Sequence, residues 1–117
     1  MIYLASPYSD SNPLVQDYRH WKACIVAAKL IQAGYHVYSP IAHTHALATA
    51  GDLPHGFGFW REYDFWFISH VDEIYVLMLP GWDTSVGVMA EIEMARQLGK
   101  RVTYLAEDGG AHASVKV

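Results

Sequence analysis

The chain has 117 residues, 52% of them hydrophobic, and a formal net charge of −4. That is the length of one domain with enough apolar residues for a core, and eight Lys and Arg against twelve Asp and Glu exclude the basic footprint of a nucleic-acid binder. A single cysteine, Cys24, excludes an internal disulfide and predicts a reducing cytoplasm, and neither a membrane-length apolar run nor a signal-peptide layout is present.

The segment "IYLAS" (2–6) is a short apolar run bounded by Pro7 and predicts a buried strand. In "SDSNP" Asn12 is placed to cap a helix whose first residue is Pro13. Leu14, Tyr18, Trp21, Ile25 and Ala28 follow at helical spacing and predict its apolar stripe, and Gly34 ends it. "HVYSP" (36–40) predicts a second strand. "IAHTHALATAGDLPHGFG" reads as a long polar loop of the kind that often carries function. "FWREYDFWFISHV" (59–71) predicts a helix with Trp60, Tyr63, Phe67, Ile68 and Val71 on one stripe. "EIYVLMLP" (73–80) is apolar throughout, as in a strand covered on both faces. A helix then runs to about Leu98, with Gly99 as its stop, and "RVTYL" (101–105) is the last strand. The remainder, 107–117, reads as a flexible C-terminal tail on a domain of residues 1–106.

Apolar strands alternating with helices predict an α/β domain, a parallel sheet of four to five strands with helices on both faces. Ligands of such sheets bind at the carboxyl ends of the strands. The loops that meet there carry Ser6 and Tyr8, then His43 and His45, then the segment from Gly81 to Gly87.

Two carboxylates sit where apolar side chains are expected. Glu91 shares its helical stripe with Val88, Ile92, Ala95 and Leu98, while Glu93 points away. Asp64 lies four residues after Trp60 and four before Ile68. A carboxylate on a core-facing stripe needs a partner or a task. Two of them suggest a pair able to cut a bond between a sugar and its leaving group, one at the sugar carbon and one handling the proton. Separate structural pairing of each is the alternative. A carboxylate near a helix N-terminus is expected to stay ionised.

The start of that helix offers free N–H groups, the Ser85 hydroxyl and the small Gly87 to an anion. Asp83, Thr84 or Ser85 acting simply as helix cap explains the same residues. His43 and His45, two apart with no third ligand at a set distance, favour substrate hydrogen bonding over a metal. Trp60 and Trp82 flank the loops and are placed to stack on a base.

"IYLASPYS" together with "YDFWFISHVDEIYVLMLPGWDTSVGVMAEIEMARQLGKRV" resembles the nucleoside 2-deoxyribosyltransferase superfamily over nearly the whole chain to about Leu105. "SPIAHTHALA" resembles a small bacterial and phage branch of it. The resemblance implies a flavodoxin-like fold, transfer of deoxyribose between bases or hydrolysis of the N-glycosidic bond of nucleosides or their monophosphates, and no metal or organic cofactor. It implies Glu91, in the "G-x-x-x-E" context begun by Gly87, as the nucleophile. It implies Asp64 as the group that moves protons to or from the base, and Tyr8 as the residue that orients Glu91. A serine six positions before the nucleophile, Ser85 here, is similar to nucleotide-hydrolysing members. Asp83 is the nearest substitute for the acid that transferases carry there, so hydrolase and transferase both stay open.

The expected function is therefore cleavage or transfer of an N-glycosidic bond. Glu91, Asp64 and Tyr8 are the expected catalytic residues. Ser6, Ser85, Gly87, His43, His45, Trp60, Trp82 and Asp83 are expected to bind the substrate. The expected partners are a small-molecule nucleoside or nucleotide and, by resemblance, further copies of the chain in a homo-oligomer, dimer or tetramer, with no membrane and no nucleic acid. A non-catalytic nucleotide-binding or sensing module on the same fold is the alternative.

Overall fold

The computed structural model describes residues 1–110. Its elements are β1 (Ile2–Ala5), α1 (Pro13–Gln32), β2 (Val37–Tyr38), α2 (Pro40–Gly51), α3 (Phe57–His70), β3 (Glu73–Leu77), a short 3-10 turn (Trp82–Thr84), α4 (Val86–Gln97) and β4 (Arg101–Leu105). The four strands form one parallel sheet in the order β2-β1-β3-β4. This is a flavodoxin-like α/β domain. The chain steps from β1 outward to β2, then returns past β1 to β3, so the switch point lies between β1 and β3.

Side chains alternate across the sheet and build two cores. Tyr3, Ala5, Ile74, Val76 and Tyr104 meet Ile68 of α3 and Val88, Ile92, Met94 and Ala95 of α4. On the other face Leu4, Leu77, Leu79 and Leu105 meet Val26 and Ala27 of α1. Being covered on both faces is why β3 is apolar in nearly every position.

The helix ends follow their sequence signals. Asn12 accepts from the Leu14 N–H and Pro13 occupies the first turn of α1. Ser85 accepts from the Val88 N–H and caps α4. Five expectations are corrected. The segment expected as a polar loop contains α2, capped by Ser39, opened by Pro40 and closed by Asp52 in the left-handed region. Its histidines, threonines and alanines lack the apolar period that marks a helix, but its Ser-Pro start is a cap signal. The second strand is only two residues long, because Ser39 already begins the next helix. On α1 the core-facing residues are Ala23, Val26 and Ala27, and the expected stripe faces outward, with Leu14, Tyr18 and Trp21 exposed. Leu98, expected on the buried stripe of α4, is also exposed. The expected tail is in part a turn: the Ala106 N–H donates to the Gly110 carbonyl, and the Tyr18 hydroxyl donates to Glu107. Residues 111–117 of that tail lie outside the described residues.

Among the described residues no helix is long and apolar enough to cross a membrane.

Candidate functional site

At the carboxyl ends of β1 and β3 a cavity of about 440 Å³ opens. Its walls come from five places. The loop after β1 gives Ser6, Tyr8 and Ser9. The first turns of α2 give Pro40, Ile41 and Thr44. The segment His55–Gly58 and α3 give Phe57, Trp60 and Asp64. The turn into α4 gives Thr84 to Gly87, and α4 itself gives Glu91. The Arg19 guanidinium ties the two sheet-edge loops together, donating to the carbonyls of Ser9 (2.9 Å) and Pro80 (3.2 Å).

Both anomalous carboxylates therefore reach one cavity. Glu91 is 4% exposed and Asp64 5%. They arrive from α3 and α4, the two helices that cover the same face of the sheet. Burial is the main cause pushing Glu91 well above the usual carboxylate range, and the Asp64 charge adds to it. Burial pushes Asp64 up to about 7, with the neighbouring Tyr3 hydroxyl pulling the other way. The expectation that a helix N-terminus keeps Glu91 ionised is thus corrected in direction: desolvation and a like charge outweigh the dipole this far along α4. Two such groups behave as one coupled pair that readily holds a single proton.

The residue that holds Glu91 is Tyr3, not Tyr8. The Tyr3 hydroxyl donates to Glu91 Oε2 from the floor of the sheet. Tyr3 is fully buried, and burial is also what raises its own pKa. A tyrosine inside an otherwise apolar strand is the signal that could have found it, because a buried phenol needs a partner. Tyr8 turns elsewhere. Its hydroxyl lies 2.6 Å from His45 Nδ1 and 2.9 Å from His55 Nδ1, so it joins the β1–α1 loop to α2 and to the segment before α3.

The other expected binding residues divide. Ser6, Ser85, Gly87 and Trp60 line the cavity. Ser6 Oγ is buried and has no hydrogen-bond partner among the described residues, and the same holds for Asp64 Oδ1. Ser85 Oγ is the α4 cap, yet its own hydrogen is free to be donated. A Cβ on Gly87 would meet the Phe57 ring at 3.2 Å, so this glycine serves the packing of the cavity wall. Trp60 is fixed by its Nε1–H donating to the Pro54 carbonyl, 2.8 Å away.

His43, His45, Trp82 and Asp83 do not line this cavity. His43 is exposed on α2 and bonds the Tyr63 hydroxyl at 2.8 Å. His45 stands behind Tyr8, stacked on His20 with ring centres 4.1 Å apart. Trp82 and Asp83 line a separate hollow of about 310 Å³ with Arg96 and Tyr104. The common reason is that α2 and the 3-10 turn are helical, so neighbouring residues point to different sides. Reasoning from a loop missed Thr44, His55 and Phe57, which do line the cavity. Among the described residues no three of His, Cys, Asp and Glu are grouped to hold a metal.

Chemically, the cavity offers a carboxylate with a fixed hydrogen-bond donor, a second carboxyl that titrates near neutrality, hydroxyl groups, and the first N–H groups of α4, which have no acceptor within the helix. Residues 1–107 match the model of a protein family described as a domain of unknown function, DUF1937. No curated protein matches the chain.

Proposed function

We propose that this chain, which belongs to the DUF1937 family, cleaves or transfers the N-glycosidic bond of a nucleoside or nucleoside 5′-monophosphate through a glutamate nucleophile. The observation that carries the reading is the pair of carboxylates, Glu91 and Asp64, each buried in the folded chain and each facing the same cavity. The resemblance to nucleoside 2-deoxyribosyltransferases seen in the sequence supports it.

The reacting form holds one proton on the pair, on Asp64, with Glu91 ionised and accepting from Tyr3; because burial and the Asp64 charge hold Glu91 well above the usual carboxylate range, this is the less populated placing of the shared proton. Glu91 attacks C1′ of the sugar. The C1′–N bond breaks, its electron pair leaves with the base, and Asp64 gives the base its proton. A glycosyl ester on Glu91 remains. Water, or the nitrogen of an incoming base, attacks C1′ and surrenders its proton to Asp64, which frees Glu91. Two displacements at one carbon retain its configuration. Ser6 is placed to hold a sugar hydroxyl. A 5′-phosphate would rest on the α4 N-terminus and the Thr84 and Ser85 hydroxyls, since no lysine or arginine is among the lining residues. Trp60 and Phe57 supply apolar walls for a base. The chain is also expected to act as a homo-oligomer in the cytoplasm.

The test is incubation with ribo- and deoxyribonucleosides and their 5′-monophosphates, with free base read by chromatography. Base released by wild type and lost in Glu91→Gln, at unchanged folding, is the expected result. Release that survives Glu91→Gln overturns the nucleophile. Ligands that raise the melting temperature but are never consumed point to the binding-module alternative.

A further inference from the structure

α1 is apolar on two opposite sides. One side, Ala23, Val26 and Ala27, enters the core. The other carries Leu14, Tyr18, Trp21, Ile25 and Ala28, spaced alternately by four and three residues, the heptad seam of a helix that packs on another helix. A helix at the surface of a monomer normally turns polar residues to water. Here Leu14 is 75% exposed, Trp21 63% and Tyr18 46%. Ile31, beside the seam, is 57% exposed. A continuous apolar strip of this kind marks an interaction surface.

We propose that this seam pairs with the same seam of a second copy, the two α1 helices running parallel about a two-fold axis. The inference rests on the homo-oligomer reading given above and not on the chemistry of Glu91 and Asp64. Charge selects both the occupant and the direction. Asp17 flanks one edge of the seam, and Lys22 and Lys29 flank the other. In a parallel pair opposite edges face each other, offset by five residues, which sets Asp17 against the partner's Lys22. In an antiparallel pair like edges meet, and the lysine edges would face lysine edges. The seam is also held in place before any partner arrives. The Tyr18 hydroxyl donates to Glu107 at 2.7 Å, and the Lys29 ammonium to the Asp108 carbonyl at 3.0 Å. Because α1 starts from the loop that lines the cavity, the pairing sets the two cavities at the same end of the dimer.

The experiment is sedimentation velocity and light scattering of the full chain across micromolar concentrations. Wild type is expected as a dimer and Trp21→Glu as a monomer with unchanged circular dichroism. Trp66→Glu, on the exposed face of α3, is expected to leave the dimer intact. Asp17→Lys is expected to weaken association roughly tenfold, and Asp17→Lys with Lys22→Asp to restore it. The charge pair needs no change to an apolar side chain, so it decides the matter if Trp21→Glu folds poorly. A monomeric wild type overturns both this proposal and the homo-oligomer reading. A dimer that survives Trp21→Glu, or that Trp66→Glu breaks, overturns the seam alone. A double variant no tighter than Asp17→Lys overturns the parallel direction.

Discussion

Asp64→Asn isolates the free energy stored in one buried carboxyl. In the folded protein Asp64 keeps its proton up to about pH 7. In the unfolded chain an aspartate gives its proton up near pH ~3.9. Between those values the native state binds more protons than the unfolded one, so the group's contribution to stability falls as pH rises, and the whole of it is lost above pH 7. About three pH intervals at about 1.4 kcal/mol each bound the loss near 4 kcal/mol. At 5% exposure solvent screens little of this, but relaxation around the charge and the coupling to Glu91 shrink it to about 2–4 kcal/mol. Asn cannot ionise. Urea unfolding followed by tryptophan fluorescence, at several pH values from 4.5 to 7.5, measures the difference between variant and wild type, in which every other titrating group largely cancels. That difference is expected to move in favour of Asn by about 2–4 kcal/mol across the range. A difference that stays flat, or moves toward wild type as pH rises, would refute the buried-carboxyl argument and with it the proton donor of the proposed reaction.

Tyr3→Phe removes the donor to Glu91 and leaves the ring in place. Turnover in the base-release assay is expected to fall about 10- to 100-fold, the equivalent of about 1.5–3 kcal/mol for a hydrogen bond to a charged group. The acid limb of its pH profile should move upward, because Glu91 loses the one contact that favours its charged form; an unmoved limb would make Tyr3 a packing residue only. Gly81→Ala should cost about 1–2 kcal/mol in thermal or urea unfolding. Gly81 has φ +91°, and an added Cβ would lie 2.7 Å from Arg19 Nη2, which must then release the Pro80 carbonyl. A wild-type melting temperature for that variant would show that the loop relaxes freely.

The sequence was most readable where local chemistry and burial agree. β1, β3 and β4 fall inside the runs expected for them, since a strand covered on both faces leaves an unbroken apolar run. Caps at Asn12 and Ser85 stand where a side-chain acceptor is followed by helix formers. Glu91 and Asp64 were legible because each breaks an apolar stripe. α2 was not, because its few large apolar residues do not recur at helical spacing: Leu47 faces outward with His43 and Thr49, while the buried positions are Pro40, Thr44 and Ala48, so no stripe announces it. On α1 the seam Leu14 to Ala28 is more regular than the face that meets the sheet, so periodicity chose the outer side.

What the sequence determined by itself is the run of elements apart from α2, the parallel sheet and the two misplaced carboxylates, all set by spacing along one element. Tertiary structure alone decided that Glu91 and Asp64 share one cavity, that Tyr3 rather than Tyr8 reaches Glu91, and that Tyr8 turns to His45 and His55. Those facts join residues as many as 88 positions apart. Period fixes which side of an element a residue occupies; only the packing of α3 and α4 on the sheet fixes what it meets there.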